Sequence, residues 1–212
     1  MAERSTVFVL MLKAPRLGEV KTRLAREVGE EAAFEIYGRL VGWQLAQLAP
    51  LRGAARVEVH FTPADGEDEM RYWIGDQADA FEPQCEGDLG DRLSHAMASV
   101  FARGGGRVVF LGGDCPFATT DLLRQAEQAL RNEEVVLAPA LDGGYYLIGL
   151  AGNHPAVFQD IAWGGERVLA QTRERIEAAG LSCARLPEAR DVDTLADWKA
   201  ATAAFPELAG PS

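Results

Sequence analysis

Arg107-Val-Val-Phe-Leu-Gly-Gly-Asp-Cys-Pro116 joins an unbroken apolar run to two glycines and a carboxylate. A run that is apolar at every position has the pattern of a strand buried on both faces. Glycines at its end let the backbone come close to a neighbour, and Asp114 emerges beside them. In open sheets built from such strands, ligands bind beyond the carboxyl ends.

Outward from this strand, elements of the two types alternate. Val7–Leu12 and Val135–Pro139 are further apolar runs, Arg56–Phe61 alternates, and Asp142-Gly-Gly144 reads as a tight turn into Tyr145–Leu150. Between them lie stretches of helical period: 21–48 with a break near Gly29, 65–74, 91–101, a helix capped at Thr119-Thr-Asp121 and running to 131, and 166–179 stopped by Gly180. A strand at 182–186 and a helix at 194–202 follow. Strands alternating with helices predict an α/β fold, a mainly parallel sheet between two helical layers. The chain reads as one domain over 1–205 with a loose tail over 206–212.

Composition narrows the function classes. The 212 residues are 48% hydrophobic and 25% charged, as in ordinary globular proteins. A formal net charge of −11 repels polyanions, so neither nucleic acid nor an anionic membrane is an expected partner. Cys85, Cys115 and Cys183 are scattered, as are His60, His95 and His154, which argues against a disulfide framework and against zinc. Val7–Leu12 is too short for a span or a signal core, and a soluble, cytoplasmic protein is expected.

Polar clusters fall where the strands end. Lys13, Arg16, Gly18, Lys21, Thr22 and Arg23 surround a helix start, a place that favours phosphate. Gly18-Glu-Val-Lys-Thr22 lacks the P-loop register, and Gly104-Gly-Gly106 precedes a strand, so neither is a nucleotide fingerprint. Gly113-Asp114 suits a hard divalent cation, Mg²⁺ (or Mn²⁺), which takes one or two carboxylates together with phosphates and water. Cys115 reads as a packing residue. In Asp191-Val-Asp193, one carboxylate is expected to reach a cation shared with Asp114, and Asp193-Thr194 serves equally well as a helix cap. Asp142 is either a turn residue or a base or acceptor anchor, with Gly144 and Tyr145 beside it. Gly87-Asp-Leu-Gly-Asp-Arg92 is either an ordinary capped loop or a seat for a base or sugar.

In this order, Lys13–Leu24, Gly112–Pro116, Pro139–Tyr145, Ile148–Leu150 and Asp191–Thr194 resemble a family of bacterial glycosyltransferase-like proteins of the GT-A type. That family has been known as a domain of unknown function, DUF2064. More distantly, the layout is similar to phospholactate guanylyltransferases and to molybdenum-cofactor and sugar nucleotidyltransferases. The resemblance covers about residues 7–198 and implies a nucleotide-diphospho-sugar transferase fold. It implies that the first loop cradles nucleotide phosphates, that Asp114 binds Mg²⁺ and that Asp193 helps hold it. Two departures stand out: Thr194-Leu-Ala-Asp197 where many relatives have Thr-Pro-Glu-Asp, and Trp163-Gly-Gly165 where a small hydroxyl residue is common at the third position.

The resulting expectation is a transferase that moves a nucleotidyl or glycosyl group from a nucleoside triphosphate or nucleotide-sugar to a small acceptor. Lys21, Arg23, Asp114 and Asp142 would carry the chemistry, and Asp114 and Asp193 the metal. Lys13, Gly18, Lys21, Thr22, Arg23, Gly87 and Gly113 would bind nucleotide, and Asp142, Gly144 and Tyr145 would meet the acceptor. A catalytically silent nucleotide-binding module is the alternative. The sequence assigns no oligomeric state.

Overall fold

A computed structural model describes residues 5–210; residues 1–4 and 211–212, at the ends of the ranges expected for the domain and its tail, lie outside the described residues. The strands are β1 (Thr6–Lys13), β2 (Arg56–Thr62), β3 (Ala80–Pro83), β4 (Arg107–Gly112), β5 (Val135–Pro139), β6 (Tyr145–Leu150) and β7 (Cys183–Arg185). The helices are α1 (Thr22–Val28), α2 (Glu30–Leu48), α3 (Glu67–Ile74), α4 (Leu89–Ala102), α5 (Thr120–Ala129), α6 (Val168–Ala178) and α7 (Leu195–Ala204).

The sheet runs β3-β2-β1-β4-β6-β5-β7. All neighbours are parallel except β6, which lies antiparallel between β4 and β5. The chain builds away from β1 on one side and then returns to its other side at β4. That reversal makes a topological switch point, where open sheets part beyond their strand ends. Register sets what gathers there: Lys13 pairs with Thr62, and Met11 with Gly112, so three strands finish together.

The continuous apolar runs serve both faces of the sheet. Phe8, Leu10 and Leu12 meet Tyr37, Val41 and Leu45 of α2 and Met70 of α3. Val7 and Val9 face the other way, onto Leu93, Met97 and Val100 of α4. A third cluster joins Leu24 of α1, Ile36 and Leu40 of α2 and Ala201 of α7. The expected three-layer α/β sandwich is therefore present. Among the described residues no helix is long and apolar enough to cross a membrane.

Locally, one strand was unforeseen, the expected break is present and one expectation is revised. β3 was not foreseen, because a four-residue edge strand with Phe81 as its one buried side chain carries little pattern. The break at Gly29 is complete: φ of +88° there separates α1 from α2. The tail is not loose over its described part, since Pro206–Ala209 forms a 3-10 turn and Leu208, 3% exposed, packs into the third cluster.

Candidate active site

A cleft of about 340 Å³ opens beyond the carboxyl ends of β1, β2 and β4. The loop from β1 supplies Lys13, Lys21, Thr22 and Arg23, β4 supplies Gly112-Gly-Asp114, and the segment before α7 supplies Asp193. Gly113 is needed on the protein side of this wall. A Cβ there would stand 2.6 Å from Leu12 Cδ2 and 2.9 Å from Val41 Cγ2. Its lack of a side chain lets the end of β4 settle on β1 and α2, which fixes where Asp114 begins.

The charged groups form one cluster. Lys21 Nζ donates to Asp114 Oδ2 at 3.0 Å and to Asp193 Oδ1 at 3.3 Å. Arg23 Nη1 donates to the other oxygen of Asp193 at 3.2 Å. The Lys21 side chain is 7% exposed. Burial alone pulls its ammonium below the ordinary lysine value, but Asp114 and Asp193 more than offset this and hold it above. Its backbone lies in the left-handed region, φ 46° and ψ 43°, at the first position before α1. For a residue with a Cβ that conformation costs about 1–2 kcal/mol, and here it turns the side chain into the cleft.

Asp193 is held from behind. Its own N–H and that of Thr194 donate to Asp197 Oδ2 at 3.3 and 2.9 Å, and Thr194 Oγ1 accepts from the Asp197 N–H at 3.2 Å. The altered motif Thr194-Leu-Ala-Asp197 thus still closes a capping box at α7. Asp191, two residues earlier, lies against Cys115, within electrostatic reach of both Asp114 and Lys21. Its Oδ1 is buried without a partner, and its carboxyl is pushed up to about 7, by burial first and by Asp114 beside it. The Cys115 thiol is also pushed up by burial, in keeping with a packing residue.

Asp114 and Asp193 meet at a single cation position, and Lys21 Nζ stands in it. Two converging carboxylates are a hard-oxygen donor pair, which fits Mg²⁺ or Mn²⁺. Among the described residues no three His, Cys, Asp or Glu side chains hold a metal by themselves. The remaining ligands of such an ion would come from phosphate and water.

Other candidates fall elsewhere. Arg16 leaves the cleft to grip Glu69 Oε1 at 2.8 Å and Asp65 Oδ1 at 2.9 Å, pinning the loop to α3 and the turn before it. Gly18 is a loop turn at φ +79° whose neighbour is the Glu30 carboxylate. Gly87, at φ +115°, is absent from the cleft wall, but its carbonyl accepts from Arg92 Nε at 3.1 Å, and Arg92 does line the cleft. Asp142 Oδ1 accepts the Gly144 N–H at 3.0 Å, the turn reading. Asp142 also lines a second cavity of about 280 Å³ with Arg190, Asp191 and Asp193. Tyr145 does not reach either cavity. The pleat of β6 sends it under α6, beside Trp163 and Thr172, while Tyr146 turns to the opposite face and donates to Pro187 O at 2.9 Å.

Four polar wall residues went unnoticed or unassigned in the sequence. Tyr37 Oη donates to Lys13 O at 2.8 Å and accepts from Lys13 N at 3.0 Å, clamping the end of β1. Gln84 follows the unforeseen β3 and donates to His60 O at 2.7 Å. Thr62 ends β2, and Arg92 opens α4. Only Arg92 had a visible signal, the glycine-bearing loop before it.

Comparison with known proteins follows the same lines. A protein from Desulfovibrio desulfuricans G20, provisionally described as a nucleotide-diphospho-sugar transferase, is 34% identical over 97% of this chain and 88% of its own, with a TM-score of 0.88. CMP:2-keto-3-deoxy-manno-octonic acid synthetase complexed with CTP is 14% identical, covering 96% of this chain and 99% of its own, with a TM-score of 0.59. Rv0371c from Mycobacterium tuberculosis H37Rv in complex with manganese is 17% identical, covering 92% and 97%, with a TM-score of 0.54. At those identities the last two share the fold alone. No curated protein matches the chain in sequence. Residues 45–165 match the family described as uncharacterized proteins conserved in bacteria, DUF2064. With more than half of its length matched, the chain belongs to the DUF2064 family of bacterial proteins.

Proposed function

We propose that this protein is a nucleotide-dependent transferase that moves a nucleotidyl or glycosyl group to a small acceptor. The observation that carries the reading is the convergence of Lys21, Arg23, Asp114 and Asp193, from three separate segments, at the switch point of the sheet. Two cations and two acids at one strand end suit a phosphate donor together with a divalent ion.

In this reading Lys21 and Arg23 hold donor phosphates by charge-assisted hydrogen bonds, and Arg92 supplies a further cation from the α4 wall. Gathered at one strand end, these cations favour charge that develops on phosphate in the transition state. Asp114 and Asp193 would hold Mg²⁺ (or Mn²⁺), which when bound neutralises phosphate charge and supports the leaving group. Asp142 and Asp193 line the neighbouring cavity, whose 280 Å³ suits a small acceptor next to the donor.

Two bonds are candidates for cleavage. An acceptor hydroxyl that attacks the α-phosphorus of a nucleoside triphosphate releases pyrophosphate, and the cleft cations support that choice. A hydroxyl that attacks the anomeric carbon of a nucleotide-sugar releases a nucleoside diphosphate, and the described activity of the 34% identical relative supports that one. A thermal-shift panel of triphosphates and nucleotide-sugars, with and without Mg²⁺, tests the proposal. A ligand at about 100 times its Kd stabilises by roughly 2.7 kcal/mol. A Mg²⁺-dependent shift from one triphosphate supports nucleotidyl transfer. A shift from one nucleotide-sugar that exceeds its parent diphosphate supports glycosyl transfer. No shift from any donor rejects the function. Binding with no turnover, unchanged by Asp114→Asn, returns the protein to a silent binding module.

A further inference from the structure

Lys21 stands where the cation of the proposed site would stand. Its ammonium takes one oxygen from each carboxylate, Asp114 Oδ2 at 3.0 Å and Asp193 Oδ1 at 3.3 Å, while Arg23 takes the remaining oxygen of Asp193. These are the oxygens a divalent ion would need. The side chain is nearly enclosed, and its backbone adopts a left-handed conformation seldom used by residues with a Cβ. A merely solvated lysine would have neither feature.

A reason for the arrangement lies in the surrounding charge. Asp114 and Asp193, each 39% exposed, converge on Lys21, and the buried Asp191, whose Oδ1 lacks a partner, lies within electrostatic reach of Asp114. Without a cation there, the carboxylates repel one another. With Lys21 in place, they are neutralised and closed to a metal. The ammonium can leave only for another dense anion, and the phosphates of a nucleotide are such an anion.

Resting on the reading of Asp114 and Asp193 as the metal pair, we infer that Lys21 is a placeholder cation that shuts the metal site until nucleotide phosphates draw it away. Metal and nucleotide then bind with positive coupling, each raising the affinity of the other by the same factor. A donor with at least a diphosphate is the natural opener, because it can occupy Lys21 and the metal at once.

The test is a Mn²⁺ titration of nucleotide-free protein, with free ion read from its electron paramagnetic resonance signal. Lys21→Met and Lys21→Gly both lack the ammonium, and glycine also adopts the left-handed backbone without strain. Both variants are expected to bind Mn²⁺ about tenfold more tightly than wild type, within the usual range for coupled sites. Thermal melting verifies that each is folded. Addition of Asp114→Asn to either variant is expected to abolish the gain. Affinity no tighter than wild type in both variants overturns the placeholder role. In that event the metal reading is judged separately, by whether Asp114→Asn removes the Mn²⁺-dependent part of the nucleotide thermal shift. A gain that survives Asp114→Asn puts the ion elsewhere and overturns both.

Discussion

The backbone N–H of Val192 donates to the carbonyl of Asp114 across 2.9 Å, tying the segment before α7 to the end of β4. Val192 itself is 1% exposed and sits in the cluster formed by α1, α2 and α7. With Val192 anchored inward, its two neighbours line one cavity but have different partners: Asp193 accepts from Lys21 and Arg23, and Asp191 lies against Cys115.

This division predicts unequal effects of two similar substitutions. Asp193→Asn keeps the shape but removes charge from the cation position, and turnover is expected to fall about 10²-fold or more. The metal-dependent thermal shift should be lost with it. Asp191→Asn should retain both. Steady-state rates with and without Mg²⁺ check the pair, and equal losses would contradict the division.

Arg92 and Arg16 make a second contrast. Among the described residues Arg92 has no acidic partner, only the Gly87 carbonyl, and it lines the cleft. Arg92→Gln is expected to weaken nucleotide binding about tenfold, the scale of one charge-assisted bond to phosphate, and to leave the melting temperature near wild type. Arg16→Gln should do the opposite. It loosens the loop from Glu69 and Asp65, lowers the melting temperature and touches no ligand directly. Isothermal titration with the nucleotide found in the panel, beside melting curves, separates the two.

Gly113→Ala tests the seat of Asp114. The added methyl would stand 2.6 Å from Leu12 Cδ2 and 2.9 Å from Val41 Cγ2, both in the core. Overpacking of this kind costs about 1–3 kcal/mol. Urea denaturation is expected to show that loss, and nucleotide affinity should fall with it because Asp114 moves. Unchanged stability would mean that β4 shifts freely at this point.

The contrast between Arg16 and Arg92 also marks what the sequence could convey. Val7–Leu12 and Val108–Leu111 revealed a doubly covered sheet because every position of such a strand is apolar, whichever layer it faces. The meeting of Asp114 and Lys21 was legible because a strand end and a helix start fall at the same edge of an open sheet. Arg16 was not, since its partners Glu69 and Asp65 lie 53 and 49 residues away and only the fold brings them close. Tyr145 was misplaced because adjacent tyrosines on a strand occupy opposite faces, and the pairing that decides which face shifts at Ala138/Pro139. Gln84 was hidden behind β3, too short to show a period.

Asp191 predicts a pH dependence with a definite sign. Its carboxyl stands at about 7 in the folded protein, against an ordinary 3.8. Between those values the folded state binds more protons than the unfolded one, so this group's contribution to stability falls as pH rises from about 4 to 7. The cause is burial beside Asp114 without a partner for Oδ1, which disfavours the charged form. Asp191→Asn holds that position neutral at every pH. The variant is therefore expected to match wild type near pH 4 and to exceed it increasingly towards pH 7 and above, in nucleotide-free and metal-free protein. Urea midpoints taken across that range measure the difference. A wild-type advantage that grows with pH would mean instead that the Asp191 carboxylate is stabilised in the fold, with Lys21 close enough to outweigh both burial and Asp114.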